Sequence, residues 1–97
     1  MKFNANLNIS IFKQGRRFIA YSPALDVATS GKNEIEVKKR FGQLVPIFLE
    51  ELDEMGTTEE VLSELGWKKH KESSGFKSWM PPIISNHSLK FNIPVTA

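Results

Sequence analysis

The chain contains no cysteine, which excludes disulfides and thiolate metal sites. It has only two histidines, His70 and His87, seventeen positions apart. Zinc needs three or four convergent ligands, so no metal is expected. The six glycines are scattered and build no phosphate-cradling loop. No serine has a neighbouring His or Lys arrangement that would activate it as a nucleophile. Neither an enzyme nor a cofactor is therefore expected. No long apolar run is present, and Met1-Lys2-Phe3-Asn4 opens an alternating pattern rather than a signal peptide. With no membrane span or leader in view, the expected location is the cytoplasm, a reducing compartment in which a cysteine-free chain is at home.

What is present fits one α+β domain over residues 1–97. The apolar share of 40% and charged share of 25% are ordinary for a globular protein. The net charge of +2 is too small to demand a nucleic-acid partner. Its distribution is uneven. Residues 1–33 sum to +4, residues 34–66 to −6 and residues 67–97 to +4. An acidic middle between basic ends either pairs internally across the fold or presents an acidic face to a basic partner.

Phe3, Ala5, Leu7, Ile9 and Ile11 alternate with Asn4, Asn6, Asn8 and Ser10. Period two with one polar face predicts a half-buried strand over 3–12. A turn at Lys13-Gln14-Gly15-Arg16 leads to a second strand over 17–22, which Pro23 ends. A third short strand over 25–30 ends at Gly31. These three predict an antiparallel meander.

The period then changes. Val37, Phe41, Leu44, Val45, Phe48, Leu52 and Met55 follow helical spacing. Asn33 is placed to cap this helix, and Glu34 and Glu36 suit its first turn. Glu34/Lys38 and Glu36/Arg40 are i, i+4 pairs. Pro46 falls mid-helix, where a kink is expected. Gly56 ends the helix. Thr57 or Thr58 opens a second, short helix to Leu65, with Glu60 in capping-box position.

Strands resume over 67–71 and 76–80, flanking a turn at Glu72-Ser73-Ser74-Gly75. Beyond Pro81-Pro82, Leu89, Phe91, Ile93 and Val95 alternate with polar residues and predict a final strand from Ser88 to Val95. Pro94 suits a sheet edge, and an exposed edge strand predicts a homodimer. The expected fold is an antiparallel sheet, the N-terminal meander plus C-terminal strands, with one long and one short helix packed on it.

Two features read as binding signals. Glu50, Glu51, Asp53 and Glu54 lie in the last turns of the long helix, where the helix dipole disfavours negative charge. They form either a hydrated surface or a partner-binding face. Trp67, Phe76 and Trp79 lie among Lys68, Lys69, Lys71 and Lys77. Aromatics interleaved with bases either complete a small core or bind single-stranded RNA by stacking. On the RNA alternative, Arg16, Arg17, Lys68, Lys69, Lys71 and Trp79 are the candidate contacts. Asp26 has no visible partner.

The stretch Tyr21-Ser22-Pro23-Ala24-Leu25-Asp26-Val27-Ala28-Thr29-Ser30-Gly31, followed by a helix opening with acidic residues, resembles the HicB antitoxin family. Leu49-Glu50-Glu51-Leu52, Met55-Gly56-Thr57-Thr58-Glu59-Glu60-Val61-Leu62 and Leu65-Gly66-Trp67 are similar to one HicB-like branch. The likeness covers residues 16–67; Lys32-Asn33 and Val37 depart from the family's usual Asp-Thr and Glu-Ala. It implies a partial ribonuclease-H-like fold without catalytic carboxylates. It also implies binding to a small, basic, HicA-type toxin that cleaves messenger RNA. Many members add a C-terminal DNA-binding module, but residues 68–97 carry no helix pattern for one. The readings from sequence are thus an antitoxin-type binding protein, an RNA-binding domain, or an orphan oligomer without a toxin.

Overall fold

The computed structural model describes residues 6–71 and 77–95. The fold is α+β, with a three-stranded antiparallel sheet, two helices and a two-stranded sheet. In the first sheet β1 (Ser10–Gln14), β2 (Arg17–Ser22) and β3 (Val27–Gly31) lie in chain order. Gly15 and Arg16 alone join β1 to β2. Gly15 takes φ +62 as the first loop residue, the position where a type II′ hairpin turn needs glycine.

The register sorts the side chains onto two faces. Ala20, paired with Ile11 and Thr29, turns toward the long helix, where it packs with Val37 and Phe41. Ile19, paired with Phe12 and Ser30, occupies the opposite face.

Helix α1 (Glu34–Glu54) starts where Asn33 accepts a 2.7 Å hydrogen bond from the Glu36 backbone N–H. That satisfies one orphan donor of the first turn. Val37, Phe41 and Leu52 are buried, with Val45, Phe48 and Leu49 packed alongside. Met55, expected at the end of the stripe, is instead the exposed C-cap. The helix runs through Pro46 without a break. Pro46 and Gly42, whose carbonyl loses its usual donor to the proline, are both exposed, so solvent can serve that carbonyl.

Helix α2 (Thr58–Glu64) has no capping box. The Thr57 side chain and backbone N–H both turn back to the Leu52 carbonyl instead. Leu62 is fully buried and joins Ala24, Leu25, Leu52, Trp67 and Trp79 in the larger core cluster.

The remaining strands differ from the sequence reading in four ways. The first strand begins at Ser10; residues 6–9 are irregular, and Phe3 to Ala5 lie outside the described residues. The third begins at Val27, because Pro23 to Asp26 form the turn before it. Among the described residues β4 (Lys68–Lys71) and β5 (Lys77–Met80) pair only with each other, as a separate sheet. The turn at 72–75 and Phe76 lie outside the described residues. The expected strand from Ser88 to Val95 is absent: residues 81–95 have no regular structure. With no neighbouring strand in reach, alternation by itself supplies no ladder.

Candidate protein-binding surface

The surface is built where α1 turns into α2. Leu52 and Leu62 anchor the two helices in one core cluster. Gly56 takes φ +69, a left-handed conformation that ends a helix with little strain when the residue is glycine. The Gly56 N–H donates to the Asp53 carbonyl at 3.1 Å, and the Thr57 N–H to the Leu52 carbonyl at 2.9 Å. This tight turn holds the end of α1 beside the start of α2.

With Leu52 facing inward, helical spacing sends its neighbours outward. Glu50, Glu51, Asp53 and Glu54 are all exposed. Glu59, Glu60 and Glu64 of α2 are exposed as well, and sequence reasoning left these three out of the candidate site. Their signal was available in the −6 block; what was missing was the tight turn that joins the two helices' charges. Neither helix has a basic residue in its last turn. The negative end of the α1 dipole therefore adds to Glu50, Glu51, Asp53 and Glu54, while the positive end of α2 faces Glu59 and Glu60. Glu59 is tied to Lys69 at 3.2 Å. The expected Glu36/Arg40 pair is formed at 2.9 Å at the other end of α1, where Arg40 also donates to the Ser30 carbonyl.

The basic candidates are dispersed. Arg16 is exposed in the β1–β2 turn. Arg17 donates to the Ser30 hydroxyl at 3.1 Å. Lys68 and Lys69 belong to the other sheet and are exposed. Lys71 ends β4, but its side chain lies outside the described residues. Trp79 is only 4% exposed and Trp67 3%. Both indoles are core residues, so neither offers a face on which a base can stack. Lys69 lies over the Trp79 ring, 5.6 Å from its centroid, while its ammonium pairs with Glu59. The ammonium thus stands over the indole as a cation–π contact and is shared with a carboxylate.

Trp67 does more than fill space. Its Nε1–H donates to the Ala24 carbonyl at 2.7 Å, tying the end of α2 to the turn between β2 and β3. That turn is also braced from within. Asp26 takes φ +53 and its N–H donates to the Ser22 carbonyl at 2.8 Å. Its carboxylate accepts the Tyr21 hydroxyl at 2.9 Å, the partner that the sequence did not reveal. The bond holds the Tyr21 phenol above its ordinary ionisation range, with desolvation and the nearby negative charge adding to it.

Among the described residues no helix is long and apolar enough to cross a membrane. The chain matches no family model, no curated protein and no solved structure.

Proposed function

We propose that this chain is a non-catalytic binding protein of the HicB antitoxin type, which captures and neutralises a small, basic, HicA-type messenger-RNA-cleaving toxin in the cytoplasm. The observation that carries the reading is the acidic surface across α1 and α2. Seven exposed carboxylates lie on consecutive elements of a chain that is otherwise basic, and the C-terminus of α1 reinforces the field of the first four. The order of three antiparallel strands followed by a long helix is compatible with the partial ribonuclease-H-like fold that the family likeness implies. The burial of Trp67 and Trp79 weighs against the RNA reading, which needed exposed aromatics.

Binding to the basic product of a neighbouring open reading frame is the direct test. Association should be steered by charge, so its on-rate should fall as salt rises. Reversing Glu51→Lys and Glu54→Lys together should slow association on the order of tenfold. Stability should stay within about 0.5 kcal/mol per site, because both positions are exposed. A gel shift with single-stranded RNA, run on the same variants, gives the opposite sign if RNA is the ligand: charge reversal would then strengthen binding, and Lys68→Ala would weaken it. Retention of RNA without capture of the basic protein would overturn the antitoxin reading.

A further inference from the structure

The C-terminal arm, residues 85–95, is exposed at every position. Its origin is anchored. Ile84 packs against the larger core cluster, and the Pro82 ring lies over Gly66, 3.3 Å from where a Cβ would stand. Beyond that anchor the arm carries Leu89, Phe91, Ile93 and Val95 at 74%, 73%, 78% and 88% exposure. The molecule's long axis reaches 62 Å, and its radius of gyration is 16.8 Å, against about 12 Å for a compact domain of this length.

We infer that this arm is exchanged between two copies of the chain, each arm adding as an outer strand to the free edge of β1 in the other copy. Three properties of the arm and its receiver fit one another. The first is main-chain direction. A two-residue hairpin loop closes on a hydrogen-bonded pair, here Gln14 with Arg17. By alternation Phe12 and Ser10 also bond inward to β2, which leaves the main-chain groups of Ile11 and Lys13 on the free edge.

The second is the arm's parity. In an extended chain, every second residue shares both a face and a hydrogen-bonding edge. If the arm runs antiparallel to β1 and Leu89, Phe91, Ile93 and Val95 address it, their side chains fall on the face of Ile11. That face continues the layer where Ile11 packs with Ala20, Val37 and Phe41. Lys90, Asn92 and Pro94 then line the outer edge. Pro94 has no N–H to donate there, and Lys90 adds charge, which discourages a further strand. Reciprocal exchange about a two-fold axis then leaves no free arm and no open edge to recruit a third copy.

The third is size and charge. The five residues of β1 extend about 17 Å. A strip about 10 Å wide, buried on arm and receiver in both copies, amounts to about 700 Å², the size of a weak, reversible contact. Residues 85–95 carry one lysine and no acid, so the two arms repel one another little.

The test uses the full chain at micromolar concentration, with mass measured by light scattering. The expected result is twice the 11.0 kDa chain mass. Phe91→Asp with Ile93→Asp should raise the dimer dissociation constant on the order of a hundredfold or more, with the far-ultraviolet circular dichroism of the body retained. Because the chain has no cysteine, introduced cysteines report geometry without background. Lys13→Cys combined with Leu89→Cys or Phe91→Cys covers two antiparallel registers. On oxidation, one of the two should give a doubly linked dimer on a non-reducing gel. A monomer at all concentrations would overturn the exchange. So would a dimer indifferent to the arm substitutions, or a cross-link formed only within one chain. These outcomes are independent of toxin binding, which is read on the acidic surface.

Discussion

Residues 7–12 and residues 89–95 carry nearly the same message, apolar side chains at every second position, yet only the first contributes a strand. Leu7, Ile9 and Ile11 lead into β1, which a two-residue loop folds back onto β2. Leu89, Phe91, Ile93 and Val95 follow a tandem proline, and among the described residues no strand pairs with them. Alternation specifies a face. A strand also needs donors and acceptors on a neighbour, and the length of the connection decides whether one is supplied.

Removing one large ring from each region should have very different consequences. Phe41, 5% exposed between α1 and the sheet, should cost about 3–5 kcal/mol as Phe41→Ala. For a domain of this size that is a large part of the whole stability. Phe91→Ala should shift the monomer's stability by no more than about 0.5 kcal/mol. Urea midpoints at a concentration where the chain is monomeric measure both. Equal losses would mean that the arm is packed on its own body.

A smaller effect separates the two buried indoles. Trp67 donates to Ala24, whereas the buried Nε1 of Trp79 meets no acceptor among the described residues. Trp67→Phe should cost about 1–3 kcal/mol for the carbonyl left without its donor. Trp79→Phe loses no such bond and should cost less. Chemical denaturation of the two variants side by side reads the difference; a reversed order would show that Ala24 is served by another donor.

The smallest effect concerns the turn that Trp67 secures. Tyr21 is the chain's single tyrosine, so tyrosinate absorbance reports it alone. Its midpoint should lie above the ordinary 10.0, because Asp26 accepts the phenol hydrogen. Asp26→Asn should bring it back toward 10.0. The folded-state value is the raised one, so this bond's contribution to stability is complete below the unfolded value and is lost as pH rises through the folded one. A wild-type midpoint at or below 10.0 would show that the bond is not formed in solution.

The parts of the fold legible in the sequence were those fixed by local chemistry. Asn33 caps α1 as its position suggested, Gly56 and Gly15 turn where glycines were expected, and the helix stripe holds from Val37 to Leu52. Glu50, Glu51, Asp53 and Glu54 were expected on the exposed side of that helix and are found there. Trp67 and Trp79 left two readings open, because an indole among lysines suits a core as well as a stacking surface. Burial decided between them. Asp26 looked unpartnered because its left-handed turn, which puts its carboxylate in reach of Tyr21, has no pattern in the local sequence.

By itself the sequence determined the change of period at Asn33, the α+β class, and the segregation of charge into an acidic middle and basic ends. Those depend on spacing and composition, which act over a few residues. Only the tertiary structure decided that β4 and β5 form a sheet of their own, that Trp67 reaches Ala24 across 43 positions, and that the last alternating segment has no strand partner among the described residues. Each of these is a pairing between distant segments. Its free energy depends on which surfaces chain closure brings together, and a one-dimensional pattern shows only that a surface is apolar, not what will cover it.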